Sequence, residues 1–274
     1  MQYKYYTLIT GASEGLGKAL ALECAKRKMS LVLVSLPNEG LHTLATFIQK
    51  NYDVDVLYYE YDLTHIQHCK QLFLDLKKKN IIIQYLINNA GLGNLDLFEQ
   101  KDISFYEKMI TLNNTTLISL THLFKMQINT NQPAYVLNVG SIGGFFHMPS
   151  KTIYGATKAF VLSFSKALRL EWAPQNIHVS VLCPGGMNTN LRVLRTNRNT
   201  TGLAKYSIMN PEDVASVAIA KWLKGKAVII PGKINRLLIF INQILPLGIK
   251  NKIVLKQFHK LLNRVEQSKI AEIN

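Results

Sequence analysis

YYTLITGASEGLG, Tyr5 to Gly17, decides how the chain is read. Its first six residues are apolar and β-rich, as in a strand buried on both faces. They run into a glycine turn, Thr10 to Gly17, and an Ala/Leu-rich helical pattern continues to about Lys28. Strand, glycine turn and helix in that order cradle a pyrophosphate, because the first N–H groups of the helix point at the turn. Gly11 allows the turn, Gly15 lets the backbone approach phosphate oxygens, and Gly17 lets helix and strand pack closely. The spacing is G-x-x-x-G-x-G rather than G-x-G-x-x-G, and a merely tight turn could carry the same glycines. The flanking strand and helix therefore carry the reading, and they bring in the helix-start residue Leu16 and the hydroxyl of Ser13.

Further along, strand and helix patterns alternate. Leu31 to Ser35 reads as a second strand whose end faces an adenosine ribose. An acid there binds the ribose 2′-hydroxyl and a base takes a 2′-phosphate. Ser35-Leu36-Pro37-Asn38 supplies neither. The missing acid leans toward NADP(H) over NAD(H), with Ser13 and Ser35 as phosphate donors, while Glu14 argues the other way. A helix is expected over 38–50 and a third strand over Val54 to Tyr59. Asp62, with Leu63 beside it, stands just past that strand, where its carboxylate could accept from an adenine amino group. Asp62 or Thr64 could equally cap the next helix, which runs to Lys79. Ile82 to Ile87 is the fourth strand and leads into Asn88-Asn89-Ala90-Gly91. Small residues there let the backbone lie against a flat ligand; an ordinary turn would look the same. Ser104 to about Asn129 reads as one long helix, interrupted in propensity by Asn113 and Asn114.

A second stretch, SIGGFFHMPSKTIYGATK over Ser141 to Lys158, carries candidate chemistry. It follows a fifth strand, Tyr135 to Val139, and enters a helix over Ile153 to Trp172. Tyr154 and Lys158, four residues apart, share one helix face. A nearby ammonium is expected to lower the phenol pKa from its usual value near ~10. If the chain folds back, Ser141 joins them, and a hydroxyl, a phenol and an ammonium can move a proton on or off a carbonyl oxygen. The bland alternative is a tyrosine and a lysine that merely share a surface.

Ile177 to Leu182 is the sixth strand, followed by Pro184-Gly185-Gly186. From Met187 to about Ser207 the chain is polar and basic, either a lid that offers Arg192, Arg195 and Arg198 to an anionic substrate or a solvated loop. A helix over 211–224 and a short strand over Ala227 to Ile230 complete the alternation. Asn235 to Leu247 is strongly apolar, and Ile249 to Val265 alternates apolar residues with Lys and Arg. Such a basic amphipathic helix can lie on an anionic membrane, cover a substrate pocket, or pack on the body of the protein.

The fold expected is α/β, a Rossmann-type doubly wound sheet of about seven parallel strands with helices on both faces. Residues 1–232 form the catalytic domain, and 233–274 a helical extension on or near it. Ligands of such sheets sit beyond the strands' carboxyl ends, where all the candidate residues fall.

Composition bounds the partners. With 274 residues and 48% hydrophobic content, the chain can bury a substantial core. The formal charge of +15 suits acidic partners or reflects a habit of composition. With no zinc pattern and no aromatic-interleaved basic stripe, nucleic acid is not expected, nor is a metal. Cys24, Cys69 and Cys183 fit no disulfide framework and read as reduced thiols of an intracellular chain. No signal peptide is visible and no apolar run reaches the ~20 residues of a membrane span. A cytoplasmic protein is expected, with membrane association through the extension.

TGASEGLG at 10–17, Asp62, NNAG at 88–91, Asn113, Ser141, YGATK at 154–158 and PGG followed by Thr189 together resemble the short-chain dehydrogenase/reductase family, over roughly Tyr5 to Ile230. The resemblance implies a nicotinamide cofactor and an Asn-Ser-Tyr-Lys tetrad, filled here by Asn113, Ser141, Tyr154 and Lys158. It implies that Ser141 holds the substrate oxygen and that Tyr154 passes the proton. Lys158 would bind the nicotinamide ribose, and Thr189 the carboxamide. Asn113 would fix a helix kink whose carbonyl holds a relay water. Cofactor contacts are implied from Gly11, Ser13, Gly15, Leu16, Gly17, Ser35, Asp62, Leu63, Asn89, Ala90, Gly91, Pro184 and Gly185. The family pairs its long helices into homodimers or homotetramers. The region past Ile230 is similar to the branch of long-chain 3-oxoacyl reductases and broad bacterial reductases, implying a lipid-like or acyl-linked carbonyl substrate. A cofactor-binding regulator without turnover and a membrane-surface scaffold are the rival readings.

Overall fold

Successive residues of the strands face opposite sides of one sheet, and both sides are buried. Leu8 packs on one side and Ile9 on the other; Val32 and Val34 oppose Leu31 and Leu33. A strand apolar at every position is what a sheet covered by helices on both faces requires. A computed structural model of the chain describes residues 4–188 and 207–259.

The sheet contains seven parallel strands in the order β3-β2-β1-β4-β5-β6-β7. They are β1 (Tyr5–Thr10), β2 (Ser30–Ser35), β3 (Val56–Glu60), β4 (Ile82–Asn88), β5 (Ala134–Val139), β6 (Ile177–Leu182) and β7 (Val228–Ile229). Helices α1 (Gly15–Lys26) and α2 (Leu41–Tyr52) cover one face. They are joined there by α7 (Pro211–Trp222), whose Trp222 is fully buried. The other face is covered by α3 (Ile66–Lys78), α5 (Thr116–Lys125) and α6 (Thr152–Trp172), through Leu72, Phe124 and Trp172. Burial of that apolar surface, at ~25 cal/mol per Å², supplies most of the driving force.

The strand order reverses between β1 and β4. Chain leaving these neighbouring strands turns to opposite faces, which opens a crevice past Thr10 and Asn88.

Two sequence expectations need correction. The long helix over 104–129 is α4 (Ile103–Ile110), a π-helical turn (Thr111–Thr115) and α5. Asn113 and Asn114 are buried at that break, as a kink fixed by Asn113 requires. α3 has His65 at its N-cap with no side-chain cap, so neither Asp62 nor Thr64 caps it. Asp62 instead closes its own turn, Oδ1 accepting from the Thr64 N–H at 2.9 Å and from the Thr64 hydroxyl at 2.7 Å.

Past β7, α8 (Lys233–Ile244) and a helical stretch over 247–259 form the described part of the extension. Among the described residues no helix is long and apolar enough to cross a membrane.

Candidate active site

The glycine turn is built so tightly that side chains are excluded from it. Gly11 and Gly15 have φ of 62° and 52°, a region in which an L side chain is strained. A Cβ on Gly17 would stand 1.8 Å from the Gly11 carbonyl oxygen. The first N–H bond of α1 is Lys18 to the Glu14 oxygen at 3.1 Å, so the N–H groups of Gly15, Leu16 and Gly17 precede it and have no intrahelical acceptor. No acid occupies the first turn of α1. Unpaired amides at a helix start beside a cradle without side chains fit a dinucleotide pyrophosphate.

The residues after β4 brace this turn. Thr10 Oγ1 accepts from the N–H groups of Asn89 and Ala90, both at 3.0 Å. Asn89 Nδ2 donates to the oxygens of Thr10 at 2.9 Å and Gly11 at 3.0 Å. Asn89 Nδ2 is therefore spent on holding the turn. Leu16 and Leu63 likewise bury their side chains in the two cores. Ser35, 5% exposed, donates its hydroxyl to the Leu36 oxygen at 3.0 Å. Ser13 stays partly exposed. The Asp62 carboxyl is held below the usual carboxylate range, because hydrogen bonds from Thr64 and the charges of Lys108 and His65 outweigh a burial that acts to raise it.

The four candidate catalytic residues converge past the ends of β4 and β5. The Asn113 side chain, 2% exposed, clamps the loop following β4: Oδ1 accepts from the Leu92 N–H at 2.8 Å, and Nδ2 donates to the Leu92 oxygen at 2.9 Å. Nδ2 also reaches Thr157 Oγ1 on α6 at 3.0 Å. This fork pulls the helix out of register and accounts for the π turn at Thr111–Thr115. Lys158, 6% exposed, donates from Nζ to the Val139 oxygen at 2.8 Å. Gly91 lies between these two, since a Cβ there would be 3.0 Å from Asn113 Oδ1 and 3.5 Å from Lys158 Nζ. Ser141 caps a 3-10 turn, Oγ accepting from the Gly143 N–H at 3.0 Å. Gly143 also abuts Tyr154, and Gly93 packs on the other side of the Tyr154 ring.

Ionisation of this group departs from expectation. Burial raises the Tyr154 pKa above the ordinary phenol value, and a hydrogen bond with Ser141 only partly opposes it. Lys158, whose ammonium donates to the Val139 oxygen and stands 5.9 Å from the centroid of the Tyr154 ring, does not outweigh that burial. Burial also brings the Lys158 pKa down to about 8. Cys183 beside it is pushed up to about 12 by burial and stays a neutral thiol. The ground state is thus a protonated phenol next to a weakly held ammonium, the form that gives a proton to a carbonyl.

The extension reaches the same site. Asn235 of α8, 1% exposed, donates to the Pro231 oxygen at 2.9 Å and sits so close to Gly185 that a Cβ there would meet its Nδ2 at 2.7 Å. Asn242 donates to the Phe145 oxygen at 2.8 Å. The Pro184 oxygen accepts from Ile142 N–H at 2.9 Å, joining the loops past β5 and β6. Thr189, Arg192, Arg195 and Arg198 lie outside the described residues. A buried network beneath the site, Asn88 to Asn138 at 2.8 Å and Asn138 to Ser165 at 3.0 Å, was missed from sequence; an asparagine inside an apolar strand was its only signal.

Residues 6–199 match the family profile described as short chain dehydrogenase. The chain belongs to the short-chain dehydrogenase family. As a member it is an oxidoreductase that interconverts carbonyl and alcohol with a nicotinamide cofactor. It is 30% identical over 229 residues to an NADP-dependent 3-hydroxy acid dehydrogenase of Schizosaccharomyces pombe, covering 81% of this chain and 88% of that protein. It is 33% identical over 201 residues to human 17-beta-hydroxysteroid dehydrogenase type 3, covering 70% of this chain and 62% of that longer protein. A short-chain dehydrogenase from Sphingobium yanoikuyae, solved in complex with NADPH, superposes with a TM-score of 0.75 at 28% identity, over 94% of each chain. The regulator without turnover and the scaffold are not favoured by these likenesses.

Proposed function

We propose that Asn113, Ser141, Tyr154 and Lys158 form the catalytic group of an NADP(H)-dependent short-chain oxidoreductase that reduces a ketone. The observation that carries this reading is their convergence past β4 and β5, beside the cradle of Gly11, Gly15 and Gly17. A bound nicotinamide dinucleotide supplies the hydride. Ser141 holds the substrate oxygen, and Tyr154, protonated because it is buried, gives that oxygen its proton. Lys158 offsets the charge left on the phenolate and binds the cofactor ribose. Asn113 keeps the helix open at the π turn, so that a backbone carbonyl is free to hold a water for reprotonation.

NADP(H) rather than NAD(H) is supported by the missing acid after β2 and by the NADP-linked relative and neighbour. Ser13 remains the hydroxyl available to a 2′-phosphate. The Pro184 and Gly185 backbone and Thr189 would hold the nicotinamide end. Titration with NADPH and NADH, followed by a carbonyl panel of increasing chain length, tests the reading. Tighter NADH than NADPH binding removes the NADP assignment, and no turnover with either cofactor removes the catalytic one.

The substrate reading is a lipid-like or 3-oxoacyl ketone. Leu237, Phe240, Ile244, Leu247, Ile253 and Leu255 of the extension are each about half exposed or more, among Lys233, Arg236, Lys250, Lys252 and Lys256. This pattern supports peripheral contact with an anionic membrane. Sedimentation with phosphatidylserine vesicles should depend on residues 233–274; equal binding without them removes the idea. Homodimer or homotetramer formation is supported by exposed Ile110, Ile118, Phe160 and Leu170 on the long helices, and light scattering that finds only monomer counts against it.

A further inference from the structure

The helix α8 is seated against its own hydrophobicity. Leu237, Phe240 and Ile244 are more than half exposed, while only Asn235 and Ile239 of the helix are buried. A buried asparagine beneath outward apolar side chains is informative, because apolar burial alone cannot seat such a helix. Asparagine is also a poor helix former, so a second one on the same face, Asn242, needs a reason. Asn235, Ile239 and Asn242 are spaced by four and three and share that face. At one end of it the Asn235 amide donates to the oxygens of Pro231 at 2.9 Å and Ser207 at 3.3 Å. Its Oδ1 is buried with no hydrogen-bond partner among the described residues. At the other end Asn242 Nδ2 donates to the Phe145 oxygen at 2.8 Å.

These two ends fall on the two loops that flank the reacting centre. A Cβ on Gly185 would stand 2.7 Å from Asn235 Nδ2 and 2.8 Å from its Oδ1, so the amide is pressed against the backbone past β6. Gly232, which leads into α8 with φ of 84°, is shaped by the same side chain: a Cβ there would stand 3.0 Å from Asn235 Nδ2. Phe145 ends the 3-10 turn, Ile142–Phe145, that Ser141 caps. The two loops also meet directly, where the Ile142 N–H donates to the Pro184 oxygen at 2.9 Å. From Asn235 to Asn242 the helix rises roughly 10 Å, a rigid span between the two grips. A side chain that holds such loops acts on the chemistry through geometry, and small displacements there are costly.

We propose that α8 is a strut of the active site, with Asn235 and Asn242 as positioning residues. Asn235 sets the Gly185 backbone that faces the nicotinamide end of the cofactor. Asn242 sets the turn that carries Ser141 toward the substrate oxygen. The inference rests on the cofactor reading and makes the extension part of the site. The outward face of α8, with Leu237, Phe240 and Ile244, is left free for other contacts.

The test titrates NADPH and adenosine 2′,5′-bisphosphate, a fragment of the cofactor without nicotinamide, into the wild type, Asn235→Ala and Asn242→Ala. The fragment occupies the adenosine end only, so it reports on folding and on the cradle. Asn235→Ala should bind NADPH roughly five- to tenfold more weakly, the worth of a lost hydrogen bond, and the fragment within a factor of about two. Asn242→Ala should keep both affinities and lose roughly ten- to a hundredfold in kcat for reduction of ethyl 3-oxobutanoate, as a misplaced holding group does. NADPH affinity unchanged in Asn235→Ala, or a parallel loss of both ligands, overturns the positioning role of Asn235. Should Asn235→Ala not fold, Asn242→Ala decides alone: it removes one partly buried hydrogen bond, and an unchanged kcat overturns the strut. A wild type that binds neither NADPH nor the fragment removes the cofactor reading and the strut with it. A wild type that binds both, with neither variant altered, removes the strut alone.

Discussion

Gly17→Ala tests how the cradle is made. The new Cβ would lie 1.8 Å from the Gly11 oxygen, 2.6 Å from Asn89 Nδ2 and 2.7 Å from the Gly11 carbonyl carbon. Two of these neighbours are backbone, so no rotamer change relieves the contact. Overpacking costs about 1–3 kcal/mol where side chains can give way. A backbone clash this short belongs at or above the upper figure. The Asn89 amide must also leave the oxygens of Thr10 and Gly11, two hydrogen bonds worth about 1 kcal/mol each. A loss of about 3–5 kcal/mol follows, equivalent to a fall in Tm of roughly 6–20 °C for a domain of this size. NADPH affinity should fall by at least about a hundredfold, because the turn that presents the Gly15 to Gly17 amides is displaced. Thermal unfolding and fluorescence titration with NADPH read both quantities. Gly248→Ala is the control, since a Cβ there meets nothing within 4 Å. A Gly17→Ala protein that melts within 2 °C of the wild type, in the error of such scans, and keeps its NADPH affinity refutes the packing argument.

Other outcomes follow from the ionisation of the site and from its thiols. Lys158 is an ammonium below about 8 and neutral above it, so kcat/KM for carbonyl reduction should decline as pH rises through about 8; a flat profile to pH 10 would show that its charge is not needed. Because its folded pKa lies below the ordinary 10.5, the folded state binds fewer protons between these values, and this group's contribution to stability rises with pH across that window, which urea titrations at pH 7.5 and 9.5 can read. Cys69 and Cys183, pushed up to about 11 and about 12 by burial, and Cys24, raised further, should resist a thiol reagent at pH 8 in the native protein and react fully in denaturant; rapid native labelling would contradict their burial.

The sheet was legible because its strands are continuous apolar runs and its turns carry glycine. Most strands lie within a residue or two of their expected bounds, and β7 is shorter, Val228–Ile229. What escaped depended on partners distant in sequence. A kink at Asn113 was expected from the resemblance, but its cause, the grip of Asn113 on Leu92 far back along the chain, was not. Asn89 read as a ligand contact; that its amide also braces Gly11 depends on a partner far away in sequence. The direction of the Tyr154 pKa was missed because helix spacing predicts a neighbouring charge but not burial.

The central claim is that one phenol delivers the proton beside a bound nicotinamide. Substituting Tyr154→Phe and following NADPH oxidation with ethyl 3-oxobutanoate, alongside NADPH binding by fluorescence, measures it most directly. Turnover should drop by about 10²–10⁴-fold while NADPH affinity stays within a factor of about three. Turnover near that of the wild type would mean that another group supplies the proton.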